Sequence, residues 1–147
     1  METVRWGVLG VANIATAKVI PAIQATETCH VTAIASRDLA KARAAAEELG
    51  IERAYRSYRE LLDDPDVEAV YIPLPNHLHH EWTLAAADAG KHVLCEKPLA
   101  LTSAAARHMV EHCERSGVAL MEAFMYRLHP LWTTLRSLVA TGRIGEP

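Results

Sequence analysis

Short apolar runs recur along the chain, and each is followed by a turn of small or polar residues and then by a segment with helical spacing. Residues 4–10, 30–36, 51–55, 69–72, 92–95 and 118–121 are such runs, and they predict strands. Several, above all 69–72 with Ala-Val-Tyr-Ile, are apolar on both faces rather than alternating, the mark of strands buried in a parallel sheet. Between them lie helical segments with readable ends. Residues 39–49 run into Gly50, 79–89 into Gly90 and 102–116 into Gly117, glycine being the usual residue just past a helix end. Ser57 and Glu60 form a capping box that opens a short helix stopping before Pro65, and Thr102 caps a later helix. The segment after Gly10 is helical too, but Pro21 is expected to kink or split it, and a last helix is expected from Leu131 to about Thr141. Strand and helix alternate throughout. The pattern predicts an α/β domain with a doubly wound parallel sheet and right-handed crossovers, spanning residues 1–147 as one unit.

Composition narrows the class of partner. The chain has 147 residues, 50% of them hydrophobic and 22% charged, with a net charge of -3. That balance belongs to a soluble globular domain and gives no basic surface for nucleic acid or an anionic membrane. No leader pattern opens the sequence and no run is long enough to span a bilayer, so a cytoplasmic location is expected. Cys29, Cys95 and Cys113 sit far apart in apolar runs, which predicts buried reduced thiols rather than disulfides or a metal site. His77, His79 and His80 are close together, but Glu81 is the one nearby carboxylate, and lining a ligand site or starting a helix suits them better than metal ligation.

The polar residues that interrupt the pattern fall at the carboxyl ends of the predicted strands, where open α/β sheets bind ligands. After the first strand, Gly10-Val11-Ala12-Asn13-Ile14-Ala15 reads as Gly-x-Gly-x-x-Gly with alanine in the second and third places. Gly10 permits the tight turn, Ala12 is small enough for backbone to approach a pyrophosphate, and the helix N-terminus offers free N–H groups. An ordinary strand-to-helix turn fits the same residues. After the second strand come Ser36 and Arg37, with Lys41 one helical turn on, where an NAD-binding fold would place a carboxylate for the ribose 2'-hydroxyl. The basic balance favours the 2'-phosphate of NADP over the free diol of NAD. Pro75, Asn76 and His79 follow the fourth strand, and Glu96, Lys97 and Pro98 follow the fifth. Lys97 at that position suits proton transfer to or from a substrate oxygen, though a surface salt bridge with Glu96 fits its spacing as well. Tyr126 and Arg127, past the sixth strand, either line the same crevice or pack a loop.

Taken together these residues resemble the Gfo/Idh/MocA family, the glucose-fructose oxidoreductase and inositol dehydrogenase group of nicotinamide-dependent enzymes. The matching motifs are Arg5-Trp6-Gly7-Val8-Leu9-Gly10 with Ala12-Asn13-Ile14-Ala15, Ser36-Arg37, Pro75-Asn76-His77 with His79, Gly90-Lys91-His92-Val93, Glu96-Lys97-Pro98, and residues 122–130 from Glu122 to Pro130. They occur in family order over nearly the whole chain, and the branch most similar is the NADP-linked one of dihydrodiol and xylose dehydrogenases. The resemblance implies that Gly10, Ala12, Asn13 and Ile14 hold the pyrophosphate, and Ser36, Arg37 and Lys41 the 2'-phosphate. It implies Pro75, Asn76 and His79 at the nicotinamide half, Glu96 at the nicotinamide ribose, Lys97 as the catalytic lysine and Arg127 near the cofactor. It also implies a cis Lys97–Pro98 bond, a sugar or polyol-like substrate, a homo-oligomer, and a second α/β domain after the Gly-x-Ile-Gly-Glu-Pro segment, which is where this sequence stops. A non-catalytic dinucleotide-binding sensor or scaffold is the competing expectation, and a catalytic role for Lys97 separates the two.

Overall fold

Six of the apolar runs form one sheet in the computed structural model, which describes residues 3–145. The strands are β1 (Val4–Leu9), β2 (Cys29–Ala35), β3 (Arg53–Tyr55), β4 (Ala69–Ile72), β5 (His92–Cys95) and β6 (Leu120–Glu122). All neighbours pair in parallel, in the order β3-β2-β1-β4-β5-β6. The sequence therefore moves outward from β1 on one side and from β4 on the other, and the order reverses between β1 and β4. That reversal opens the crevice at the sheet's carboxyl edge.

Helices α1 (Ile20–Gln24), α2 (Leu39–Leu49), α3 (Tyr58–Leu62), α4 (His79–Asp88), α5 (Ser103–Arg115) and α6 (Pro130–Ala140) connect and follow the strands. Two buried clusters show that both faces of the sheet are covered. Val8, Val31, Ile34 and Tyr71 pack with Ala15, Ile20, Ala45 and Ala46 on one face. Leu9, Val70, Ile72 and Val93 pack with Leu61, Leu62, Ala85 and Ala86 on the other. Adjacent residues of one strand thus enter opposite cores, which is why the runs are apolar without alternation.

The ends of three helices explain where the expected strand limits shift. Ile51 N–H donates to Ala46 O at 2.8 Å, Lys91 N–H to Ala86 O at 2.9 Å and Val118 N–H to Cys113 O at 3.0 Å, each across a glycine at positive φ. This closes the helix by turning the next amide back onto it. The amides of Ile51 and Val118 are consumed in that way, so β3 begins at Arg53 and β6 at Leu120, later than the apolar runs suggest. Pro21 has its expected effect in a different form: a π-wound turn, Ala15–Val19, precedes α1 and Pro21 sits in its first turn, where its missing N–H costs least. Cys95 and Cys113 are buried as expected, but Cys29, the first residue of β2, is only half-buried.

Gly7 is a structural requirement that the sequence pattern hides. A Cβ there would lie 2.6 Å from Leu61 Cδ2 and 3.1 Å from Val67 Cγ1, both fully buried side chains. Gly7→Ala should therefore overpack the β1–α3 contact and cost about 1–3 kcal/mol. Chemical denaturation would measure it, and an unchanged midpoint would show that Leu61 moves aside freely.

Candidate dinucleotide-binding cleft

The strands from β1 to β6, β3 aside, deliver the candidate residues to the same edge. Gly10 follows β1 at φ 114°, with its N–H on Ala35 O at 2.8 Å, so the turn is anchored to the end of β2. A side chain at Gly10 would also crowd Leu74, whose Cδ2 would be 3.0 Å from the added Cβ. The turn must therefore be bare as well as left-handed. Ala12 O accepts from the amides of Ala15 and Thr16, which starts the helical turn with Asn13 and Ile14 in its first positions. As the first amides of a helix, theirs have no partner within it.

At the end of β2 the acidic residue is already committed. Asp38 caps α2, its Oδ1 accepting from Ala40 N–H at 3.0 Å and Lys41 N–H at 3.3 Å, and Ser36 Oγ accepts from Asp38 N–H at 3.2 Å. Arg37 and Lys41 are exposed beside it. The β2 end thus presents two exposed cations, Arg37 and Lys41, beside a carboxylate whose Oδ1 caps its own helix, which fits a phosphorylated ribose better than a diol.

The loops after β4 and β5 are bound to each other. Pro75 and Asn76 open a 3-10 turn, Asn76–Leu78, on the exposed rim. His79 is fully buried, with Nδ1 2.8 Å from Pro98 O and Nε2 2.8 Å from Leu74 O. With both ring nitrogens facing backbone carbonyls inside the fold, neither edge of the buried His79 ring is open, and the ring ties the loop after β4 to the loop after β5. His77 is exposed, and His80 Nε2 lies 3.0 Å from His108 Nδ1 on α5. Among the described residues no group of three or more His, Cys, Asp or Glu side chains is placed to share a metal ion.

Glu96 and Lys97 stand at the end of β5, and the Lys97–Pro98 bond is cis. The two side chains are not paired with each other. The Glu96 carboxylate accepts from Tyr71 OH at 2.7 Å and from Lys97 N–H at 3.1 Å, while the exposed Lys97 ammonium forms no salt bridge among the described residues. Leu99 N–H donates to Glu122 Oε1 at 2.7 Å, which fastens the loop after β5 to the end of β6. Neither Tyr71 nor Glu122 was given a role by sequence reasoning. A phenol inside an all-buried strand requires a partner, and that requirement was the available signal for Tyr71.

Arg127 is placed differently from the other candidates. With Phe124, Tyr126, Trp132 and Arg136 it lines a pocket of about 400 Å³ formed by the segment after β6 and by α6. A larger cleft of about 900 Å³ lies at the opposite, amino edge of the sheet. Its charges answer one another, Arg5 with Glu68 at 3.4 Å and Arg53 with Asp66 at 2.8 Å, and it holds none of the candidate residues.

A parallel sheet in this order, with a bare turn after β1 and polar residues at successive carboxyl ends, defines a Rossmann-type nucleotide-binding domain. The chain belongs to the Gfo/Idh/MocA family, whose profile, described as an oxidoreductase family with an NAD-binding Rossmann fold, matches residues 4–124. It is 55% identical over 136 residues to D-xylose 1-dehydrogenase (NADP(+)) 2 of Haloferax volcanii, covering 92% of this chain and 42% of that protein. It is 46% identical over 143 residues to 1,5-anhydro-D-fructose reductase of Ensifer adhaerens, covering 97% and 43%. Among solved structures it is similar to the 3-ketoreductase KijD10 of Actinomadura kijaniata in complex with NADP, with a TM-score of 0.90, 41% identity, and coverage of 99% of this chain and 46% of that one. The chain spans less than half the length of each of these relatives.

Proposed function

We propose that this chain is the cofactor-binding domain of an oxidoreductase that uses NADP(H) to move hydride to or from a sugar, polyol or related alcohol or carbonyl carbon. The observation that carries the cofactor choice is the end of β2, where Arg37 and Lys41 stand exposed and Asp38 is taken up as a helix cap. The bound nicotinamide supplies the hydride chemistry. The protein binds and orients it: the turn from Gly10 to Ile14 receives the pyrophosphate, Ser36, Arg37 and Lys41 the 2'-phosphate, and Pro75, Asn76 and Glu96 the rim of the nicotinamide half. Lys97, unpaired beside Glu96, holds the proton that is exchanged with the substrate oxygen. Arg127 lies near the cofactor from the separate pocket that it lines against α6. The names of the xylose dehydrogenase and anhydrofructose reductase relatives support the substrate class. The reading carries with it a cytoplasmic homo-oligomer, supported by the free thiols of Cys95 and Cys113 and by Leu131, Trp132 and Val139 exposed on α6.

Fluorescence titration with NADPH and NADH tests the cofactor assignment. NADPH should bind about tenfold or more tightly, the effect of one good contact to a charged phosphate, and Arg37→Ala should remove most of that preference. Equal affinities in the wild-type chain would reverse the assignment.

A further inference from the structure

Glu96 is held at both of its carboxylate oxygens by groups of the protein, and one of them has no other evident purpose. Tyr71 lies in β4, paired in register with Leu94 of β5, and its side chain is fully buried between the strands and the α1–α2 face. Phenylalanine would fill the same volume. The hydroxyl nevertheless reaches Glu96 Oε1 at 2.7 Å, while Lys97 N–H takes Oε2 at 3.1 Å. Burial and the carboxylate beside it push the Tyr71 phenol well above its ordinary range, so it remains a donor and the carboxylate an acceptor.

The position of Glu96 follows from the sheet order. The Gly10 turn follows β1, with β2 on one side and β4 then β5 on the other. A dinucleotide centred on that turn places one nucleoside over each side of the crevice. The basic residues Arg37 and Lys41 mark the β2 side for the adenosine 2'-phosphate. The second nucleoside then lies over the ends of β4 and β5, where Glu96 retains lone pairs for hydroxyl donors.

Resting on the NADP(H) reading above, we propose that Tyr71 is a positioning residue for the second nucleoside: its hydroxyl fixes the Glu96 carboxylate in the orientation that accepts hydrogen bonds from the nicotinamide-side ribose. Without it the carboxylate is tethered by the Lys97 amide alone and can rotate away from the ribose. Preorganisation of this kind contributes to affinity by removing the cost of ordering the group on binding. It acts on one half of the ligand only.

Calorimetric titration of the chain with NADPH and with adenosine 2',5'-bisphosphate, which lacks the second nucleoside, separates this role from general support of the fold. Tyr71→Phe should weaken NADPH about threefold to tenfold, in line with the net effect of one ordinary hydrogen bond, and leave the bisphosphate within about twofold. In a Glu96→Ala background the same substitution should cost nothing further, because the two residues act as a unit. Unchanged NADPH affinity in Tyr71→Phe overturns the proposal, as does an equal loss for both ligands or a full additive loss in the double variant. Wild-type chain that binds the bisphosphate and NADPH equally also overturns it, since the second nucleoside then contributes nothing. Failure of the wild-type chain to bind either ligand would overturn the NADP(H) reading itself, and that result is distinct from the others.

Discussion

Replacing Lys97 by methionine in a two-domain enzyme, made by joining this chain to the remaining part of its Ensifer adhaerens relative, is expected to lower turnover by about a hundredfold or more with little change in cofactor affinity. Methionine keeps the length and the apolar stem and removes the ammonium. That ammonium does nothing for the fold, being exposed at the end of β5, and Glu96, the obvious salt-bridge partner, is instead held by Tyr71 and the Lys97 amide. A group that stands free at the cleft in this way can be removed without disturbing the resting protein. On the proposed role as proton donor or acceptor, its contribution falls in the transition state, and the loss should fall on kcat more than on NADP(H) binding. Steady-state assay of the pair with NADPH titration alongside decides it. Undiminished turnover would show that the proton passes through another group and would move Lys97 to a binding role.

The strands and their order of appearance were legible because parallel strands buried on both faces leave continuous apolar runs, and because Gly50, Gly90 and Gly117 punctuate the helices. The strand limits were less legible. Whether an amide turns back onto the preceding helix or enters the sheet depends on tertiary pairing, as at Ile51 and Val118. The carboxyl edge was legible as a set of strand ends, since Gly10, Ser36, Asn76 and Lys97 all follow apolar runs, whereas Arg127, which follows one too, lines a pocket of its own against α6. The division of labour along that edge was not legible. His79 reads as a ligand contact from its neighbours, yet its ring is consumed by the carbonyls of Leu74 and Pro98, groups that no sequence pattern marks as acceptors. Glu96 and Lys97 read as a pair because they are adjacent, whereas the Glu96 carboxylate finds its side-chain partner on β4, at Tyr71.

Lys91 shows how far a charged residue can be from chemistry and still be indispensable to the fold, and its loss is the second large effect expected. It lies between Gly90 and the start of β5 and is 7% exposed. Its Nζ donates to Asp64 O and to Val67 O, both at 2.7 Å. Asp64 is itself a junction, its carboxylate taking Arg53 at 3.0 Å and Tyr55 OH at 2.9 Å, so the ammonium joins the start of β5 to the α3–β4 loop and through it to β3. Lys91→Met would fill the space but leave Val67 O without its donor, at about 1–3 kcal/mol, and Asp64 O with only the longer bond from Val67 N–H at 3.3 Å, partly offset because a buried charge disappears as well. A net loss of about 1–3 kcal/mol is expected, which lowers Tm by roughly 3–10 °C for a domain of this size. Burial, only partly opposed by Asp64, Asp63 and Glu68, holds the Lys91 pKa below its ordinary value of 10.5. The unfolded chain therefore binds the proton more tightly than the folded one, and stability from this group rises with pH between the folded value and 10.5. The gap between wild type and Lys91→Met should accordingly widen as pH rises toward that value and be narrowest below the folded pKa. Thermal denaturation of both proteins across that range measures the two effects together. A Tm within about 2 °C of wild type at neutral pH would mean that water or a shifted loop satisfies the two carbonyls, and that the junction at Asp64 holds without the lysine.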